Sequence, residues 1–402
     1  MSQHIARAEI GKYPIQSAPW RSNVSEMSIA TNEPRLKAPV AVTSCCSRGF
    51  AGRIESWLLH SDIQLGEGPH DGAIAGWLDG HGKPEFVYPE IAGYYMTAMA
   101  WLASGAASSP EHVAIAKTRA RRTANWIAEL MSNRAAPPTR LYLSDRQADW
   151  RNDAVFSFDL AMAARGIAAV GAGPCGTGAR TLRLLCAWLD RISAHDGIMR
   201  SHEQLGDEPP PRWSTRPGPH HLKAAAAILG LGDAPNPLNR MANRTILHWA
   251  GMLLTDEWPC DELHALCYGL EGLLISDTGD GDRLDQAELI FSRLMELQTS
   301  DGLLRETVGG GIVRSDVLAQ ALRIGLLLRG RGHLASAPWA DRLDALAYSL
   351  MQLVRVDGGV LFSKDQTIAN TWCAMFAHQA LYLHARRHSG DTAPANAFLY
   401  LV

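Results

Sequence analysis

The chain lacks a charge surplus of either sign. Its 402 residues carry a formal net charge of −3, so nothing in the composition provides the basic surface that draws a protein onto nucleic acid. It also lacks any run near the roughly 20 uninterrupted apolar residues that cross a bilayer. No basic-then-apolar leader opens it. These absences argue for a cytoplasmic protein with no nucleic-acid partner and no membrane span. Cysteine is sparse and odd in number: seven residues, scattered, with no Cys-x-x-Cys pair. That argues against a disulfide scaffold or a zinc ribbon and suits a reducing compartment. No metal-ligand spacing or cofactor motif stands out. Gly309-Gly310-Gly311 has neither the lysine nor the strand–turn–helix setting of a phosphate loop. Disorder of the whole chain is excluded by 47% hydrophobic against 20% charged residues. The oligomeric state leaves no mark in the sequence.

What is present is helix after helix. Residues 1–48, broken by Pro14, Pro19, Pro34 and Pro39, read as an arm without regular structure. From there apolar residues recur at i, i+3 and i+4. Two kinds of window alternate. The windows 90–105, 154–170, 219–231, 261–276, 315–329 and 369–386 are apolar nearly all round. The windows 51–61, 110–131, 178–192, 237–254, 282–298 and 338–354 carry one charged face. A helix apolar on every side is buried, and one with a charged stripe faces water. Six of each predict an inner ring inside an outer ring, an all-α (α/α)6 toroid over 49–390 with short β-hairpins in its long loops and a tail at 391–402. The first amphipathic window then pairs with the last apolar one. A repeat supports the reading: Asp71-Gly72, Asp196-Gly197, Asp301-Gly302 and Asp357-Gly358 each lead from an outer to an inner window. Asp-Gly suits a tight turn because glycine takes positive φ freely.

The connections are unequal. Those from outer to inner windows are long (62–89, 132–153, 193–218, 299–314 and 355–368) and are expected to carry the function. They converge on the N-terminal ends of the inner helices around one hollow, where helix dipoles favour negative charge. Glu90, Asp159 and Asp316 are the candidate catalytic carboxylates, with His264 and Tyr95 as proton-transfer partners. Asp159 interrupts an otherwise apolar helix, so it needs a partner such as Arg165 or a ligand. Candidates for holding substrate are Asp71, Trp77, Tyr94, Trp213, Arg216, His220, Tyr268, Arg305, Glu306, Arg314, Asn370 and Trp372. The bland readings compete at each position: turn formation for Asp71, charge–dipole placement for Glu90, core packing for any one of the twelve tryptophans. Paired carboxylates across a cavity suit glycoside hydrolysis. Acids with His or Tyr near a carbonyl-adjacent carbon suit epimerisation or β-elimination. Arginines suit a sugar carboxylate, and tryptophans suit sugar faces.

The alternation, the Asp-Gly entries, HALCYGLEGLL (264–274), VRSDVLAQALRIGLLL (313–328) and ANTWCAMFAHQAL (369–381) resemble the six-hairpin carbohydrate-active superfamily. That superfamily holds glycosidases, unsaturated glucuronyl hydrolases, sugar 2-epimerases and glucuronyl C5-epimerases, with similar proteins in polysaccharide assembly. The resemblance spans about 50–390 and implies a carbohydrate-active hydrolase or isomerase taking a small or oligosaccharide substrate without a cofactor. No single family's catalytic set matches residue by residue. Two other toroids compete. QTSDGLLRE (298–306) is similar to the repeat of terpene cyclases, but their DxDD acid is missing. CYGLEG (267–272) resembles an element of zinc-dependent lanthionine cyclases, but their matching Cys-His pair is missing, although Cys373 and His378 lie in another inner window. A non-catalytic glycan binder is the third alternative. It would show aromatic platforms without an acid–base pair.

Overall fold

The computed structural model describes residues 44–402 except 134–136, 145–148, 172–175, 194–196, 233, 278, 280 and 389–396. Most of the arm read at 1–48, and Asp196 of the second Asp-Gly pair, therefore lie outside the described residues. The described chain alternates twelve α-helices: α1 (Ser44–His60), α2 (Pro89–Trp101), α3 (Pro110–Asn133), α4 (Ser157–Ala169), α5 (Thr177–Ile192), α6 (His220–Leu229), α7 (Asn236–Leu253), α8 (Leu263–Ile275), α9 (Asp282–Met295), α10 (Ser315–Gly330), α11 (Pro338–Met351) and α12 (Thr371–His388).

Burial follows composition. Every residue from Leu263 to Leu274 of α8, and from Ser315 to Leu328 of α10, is buried. In α5 only Thr181, Leu185, Cys186, Leu189 and Ile192 are buried, one stripe at helical spacing. The even-numbered helices pack in the order α2, α4, α6, α8, α10, α12 and back to α2. Each packs outward on an odd-numbered partner, and α1 covers α12. The result is the expected two-ring toroid, closed by chain ends that are far apart in sequence.

Three two-stranded ladders trim the long-loop face. Strand β1 (Trp77–Leu78) pairs antiparallel with β6 (Ala369–Asn370), so the loop before α2 is stitched to the loop before α12. Strand β2 (Phe86–Val87) pairs with β3 (Leu141–Tyr142), and β4 (Ala154–Phe156) with β5 (His202–Gln204). The hairpin between residues 73–78 and 86–88 survives as single bridges, Ala75 with Val87 and Leu78 with Pro84. The Asp-Gly turns are structural. Gly72, Gly197, Gly302 and Gly358 have φ between 79° and 94°, and a Cβ on Gly72 would lie 2.5 Å from the Arg122 carbonyl oxygen of α3.

Beneath the inner ring's centre lies a buried ionic knot. Glu271 accepts from Lys223 Nζ at 2.7 Å and from Arg323 Nε at 2.9 Å, and all three side chains are fully buried. The segment around 397–402, inside the stretch read as a tail, docks into the same end. Arg165 Nη2 donates to the Phe398 and Leu399 carbonyls, and Gln379 Nε2 donates to that of Tyr400. Arg165 is thereby excluded as the partner of Asp159. It lies six residues further along α4, about 9 Å down the helix axis.

Candidate active site

A cavity of 420 Å³ opens where the inner helices begin; five of them line it, and Arg314, immediately before α10, completes the ring. Sites for small ligands typically measure ~300–1,000 Å³, so a mono- or disaccharide fits. The contributions come from the first helical turns: Glu90 is the second residue of α2, Asp159 the third of α4, His220 the first of α6, His264 the second of α8 and Trp372 the second of α12. Arg314 stands immediately before α10. Pro89 starts α2 because its fixed φ and missing N–H cost nothing there.

Glu90 and Asp159 both line the cavity, near enough for the charge of one to act on the other. Both are buried, at 8% and 5% exposure. Burial raises the pKa of Glu90. Burial, followed by the neighbouring Glu90 charge, raises that of Asp159 well above the ordinary carboxylate range. Two buried carboxyls this near each other disfavour each other's charge, which favours the protonated form of one of them. Thr139 Oγ1 donates to Asp159 Oδ2 and holds that rotamer, and Tyr88 lines the cavity beside Glu90.

With six inner helices in a ring, α8 stands diametrically opposite α2. Its His264 is buried, and desolvation lowers its pKa to about 4, so the imidazole is neutral. Nδ1 lies 2.6 Å from Gln320 Oε1. Only a protonated Nδ1 makes that bond, which leaves Nε2 as the basic nitrogen. Asp316 sits behind it, fully buried, 3.7 Å from His264 Nδ1. Arg314 grips Asp316 with two bonds of 3.1 and 2.7 Å, and Trp372 Nε1 adds a third at 3.1 Å. Set against the burial penalty, Arg314 contributes most to holding the Asp316 carboxyl down at about 2. Asp316 is thus a permanent anion that orients Arg314, Trp372 and His264. His220 lines the cavity beside Trp213, their rings 5.2 Å apart. It is neutral because burial lowers its pKa well below the usual value, and its Nδ1 has no partner among the described residues.

Of the residues chosen from sequence, Glu90, Asp159, His264, Trp213, His220, Tyr268, Arg314 and Trp372 line this cavity. Others do not. Tyr95 follows Tyr94 on α2, a turn of about 100° away from the hollow, and its hydroxyl donates to the Leu58 carbonyl of α1 at 2.9 Å. Tyr94 lies below the floor, its ring 6.5 Å from that of Tyr268. Asp71 is exposed and ion-paired with Arg122. Arg216 is exposed just past the short helical turn Trp213–Thr215. Arg305 is exposed and donates to the Gly311 carbonyl at 2.8 Å, while Glu306 accepts from the Ile312 amide at 3.3 Å. Asn370 caps α12 through the Cys373 amide. Trp77 stands behind the wall, 6.2 Å from Trp372, and donates to Glu85.

Tyr88, Trp150 and Arg151 stand out in sequence at the long-loop junctions without being chosen as site residues, and Thr139, Arg140, Arg212, Ser214 and Glu262 were missed; all of them line the cavity. The adjacent pairs Trp150-Arg151 and Arg212-Trp213, one on each of two long loops, were the available signal. The cyclase alternatives gain nothing. Among the described residues only Asp285, Glu288 and His333 are spaced to hold a metal, so Cys267, Cys373 and His378 do not gather. A second cavity, of 550 Å³ between α2, α3, α4 and α5, is larger. Its lining includes no carboxylate and no histidine.

No family model and no curated protein sequence matches this chain. Solved structures do. A sugar epimerase from a ruminal bacterium superposes with a TM-score of 0.64 at 11% identity, covering 86% of this chain and 98% of that one. Cellobiose 2-epimerase from Bacillus thermoamylovorans gives 0.64 at 9%, covering 86% and 100%. Unsaturated glucuronyl hydrolase from Bacillus sp. GL1 gives 0.60 at 13%, covering 87% and 98%. The chain shares their six-hairpin toroid. At such identities the likeness establishes the fold, and the reading of chemistry falls to the cavity's own side chains. No helix of the described residues is long and apolar enough to cross a membrane.

Proposed function

We propose that this toroid is an enzyme that moves protons on a sugar or uronic-acid-containing substrate held in the central cavity. The observation that carries the reading is the pair of buried carboxyls, Glu90 and Asp159, set in one cavity across the ring from the buried His264. One side donates a proton and the other accepts one, which is what inversion or isomerisation at a carbon next to a carbonyl requires. Direct glycosyl displacement fits less well. Its two carboxyls must straddle the sugar, whereas Glu90 and Asp159 stand at the starts of the neighbouring helices α2 and α4, and Asp316 is locked by Arg314. Trp213 and Trp372 supply faces for the ring, and neighbouring solved structures whose names are sugar epimerases and a mannose isomerase support the same class. A second reading is favoured by the presence of two buried acids in one cavity: protonation of an unsaturated uronide, followed by addition of water, as the name of the glucuronyl hydrolase neighbour suggests. We place the activity in the cytoplasm, where Cys186, Cys267 and Cys373 persist as buried thiols.

The test is a panel of aldoses, uronic acids and unsaturated uronides incubated in D2O and followed by NMR. The reading expects deuterium at the carbon flanking the carbonyl, or loss of the unsaturated signal. Asp159→Asn and His264→Gln should each slow it at least about 100-fold, the usual scale of general acid–base contributions. Exchange at wild-type rate in both variants would refute the assignment.

A further inference from the structure

Two separate long loops bring three guanidinium groups to one wall of the cavity, those of Arg140, Arg151 and Arg212. Arg151 lies 4.4 Å and Arg212 5.9 Å from the centroid of the Trp150 ring. Arg140 lies 4.2 Å from that of Phe86, directly after the Thr139 that bonds Asp159. Among the described residues the one carboxylate ion-paired with any of the three is Asp149, at 2.5 Å from Arg151 Nη1. Asp149 is itself pinned by the Arg151 amide at 2.9 Å and the Tyr142 hydroxyl at 3.2 Å. The Nε of Arg140 is buried without a hydrogen-bond partner. Three cations against one paired anion leave this wall net positive, with Arg140 also facing the Glu90–Asp159 pair.

We propose that this wall is a subsite for a phosphoryl group carried by the sugar substrate. The inference rests on the reading of the cavity as a sugar site and specifies what that sugar bears. A phosphate carries close to two charges at neutral pH, and guanidinium forks match its oxygens two at a time, so three separate guanidinium groups suit it better than the two oxygens of one carboxylate. Arg314, the remaining arginine of the lining, is consumed by Asp316. Repulsion within the wall is visible at Arg212, whose pKa is lowered by burial first and then by Arg151 and Arg140. The phosphoryl group belongs either to a sugar phosphate or to a nucleoside-diphosphate sugar.

The test is equilibrium binding by calorimetry on the full chain, which reads the subsite without turnover. The probes are glucose, glucuronate, glucose 6-phosphate, UDP-glucose and inorganic phosphate. The expected order places one phosphorylated sugar at least tenfold tighter than glucuronate, and glucuronate tighter than glucose, with affinity falling steeply as salt rises. Whichever of glucose 6-phosphate and UDP-glucose binds more tightly identifies the source. Arg212 is exposed at the mouth, so R212M keeps the fold. It should weaken the phosphorylated ligand at least tenfold and glucose less than twofold. Asp159→Asn should leave the preference intact. Glucuronate binding as tightly as either phosphorylated sugar would overturn the subsite, as would an unchanged affinity in R212M or binding of inorganic phosphate alone. None of these results would touch the proton-transfer reading, which stands or falls on deuterium exchange.

Discussion

Gly93→Ala tests whether helix packing sets the chemistry. Helices α2 and α4 cross where Gly93 meets Met162 and where Gly166 meets Gly93. A Cβ on Gly93 would lie 2.4 Å from the Met162 carbonyl oxygen and 2.6 Å from the Ala163 nitrogen. These are backbone atoms, so no rotamer relieves the clash. Ordinary contact needs a further 1 Å or so, and overpacking of this kind costs about 1–3 kcal/mol. Glu90 lies one turn before Gly93, and Asp159 one turn before Met162, so the separation is passed to the acid pair. A misplacement of about 1 Å at reacting groups can cost about 100-fold in rate. Denaturant unfolding and deuterium exchange on the identified sugar read the two effects. Wild-type stability with wild-type exchange would refute the proposed coupling. Lost stability with full exchange would show that the crossing does not position the acids.

Glu271→Gln should destabilise the fold by about 3–5 kcal/mol, since it leaves Lys223 and Arg323 buried without a counter-charge. Replacing all three by apolar residues of similar volume should recover most of the loss in chemical denaturation, and failure to recover would show that the knot does more than balance charge. Asp159→Asn should abolish exchange yet raise stability at neutral pH by on the order of 1 kcal/mol, because a carboxyl held out of its ordinary range is costly. An unchanged or lowered unfolding midpoint would count against the raised pKa. His378, buried beside α1 and away from the cavity, is depressed to about 4 by burial. Its folded pKa lies below the unfolded value near 6.5, so the unfolded state binds its proton first. Stability should therefore fall as pH drops from about 6.5 to 4, with a shallower slope in His378→Gln, by up to one proton. Equal slopes would contradict the assignment.

The toroid was legible because each layer leaves its own pattern. A helix surrounded by neighbours is apolar all round, and one with a wet side is striped. The site was half legible for the same reason: Glu90, Asp159 and His264 interrupt apolar windows at their first turns, where only a cavity excuses them. Tyr94 and Tyr95 show the limit, since the same local sequence sends one ring towards the toroid axis and the other into α1. The meeting of Arg140, Arg151 and Arg212 was out of reach because long loops have no period to read, and it depends on β-ladders that pair residues 46 to 56 positions apart. The link between Glu271 and its two cations, likewise, spans 48 and 52 residues.

The proposed chemistry depends on a proton that the two acids share at neutral pH. Infrared difference spectroscopy of the purified chain, comparing wild type with Asp159→Asn at pH 7, observes that proton through the carbonyl stretch of an un-ionised carboxylic acid. A protonated-acid band in wild type that vanishes in the variant is the predicted result. No such band until the solution is well into the ordinary acid range would contradict it, and the acid half of the mechanism would fall.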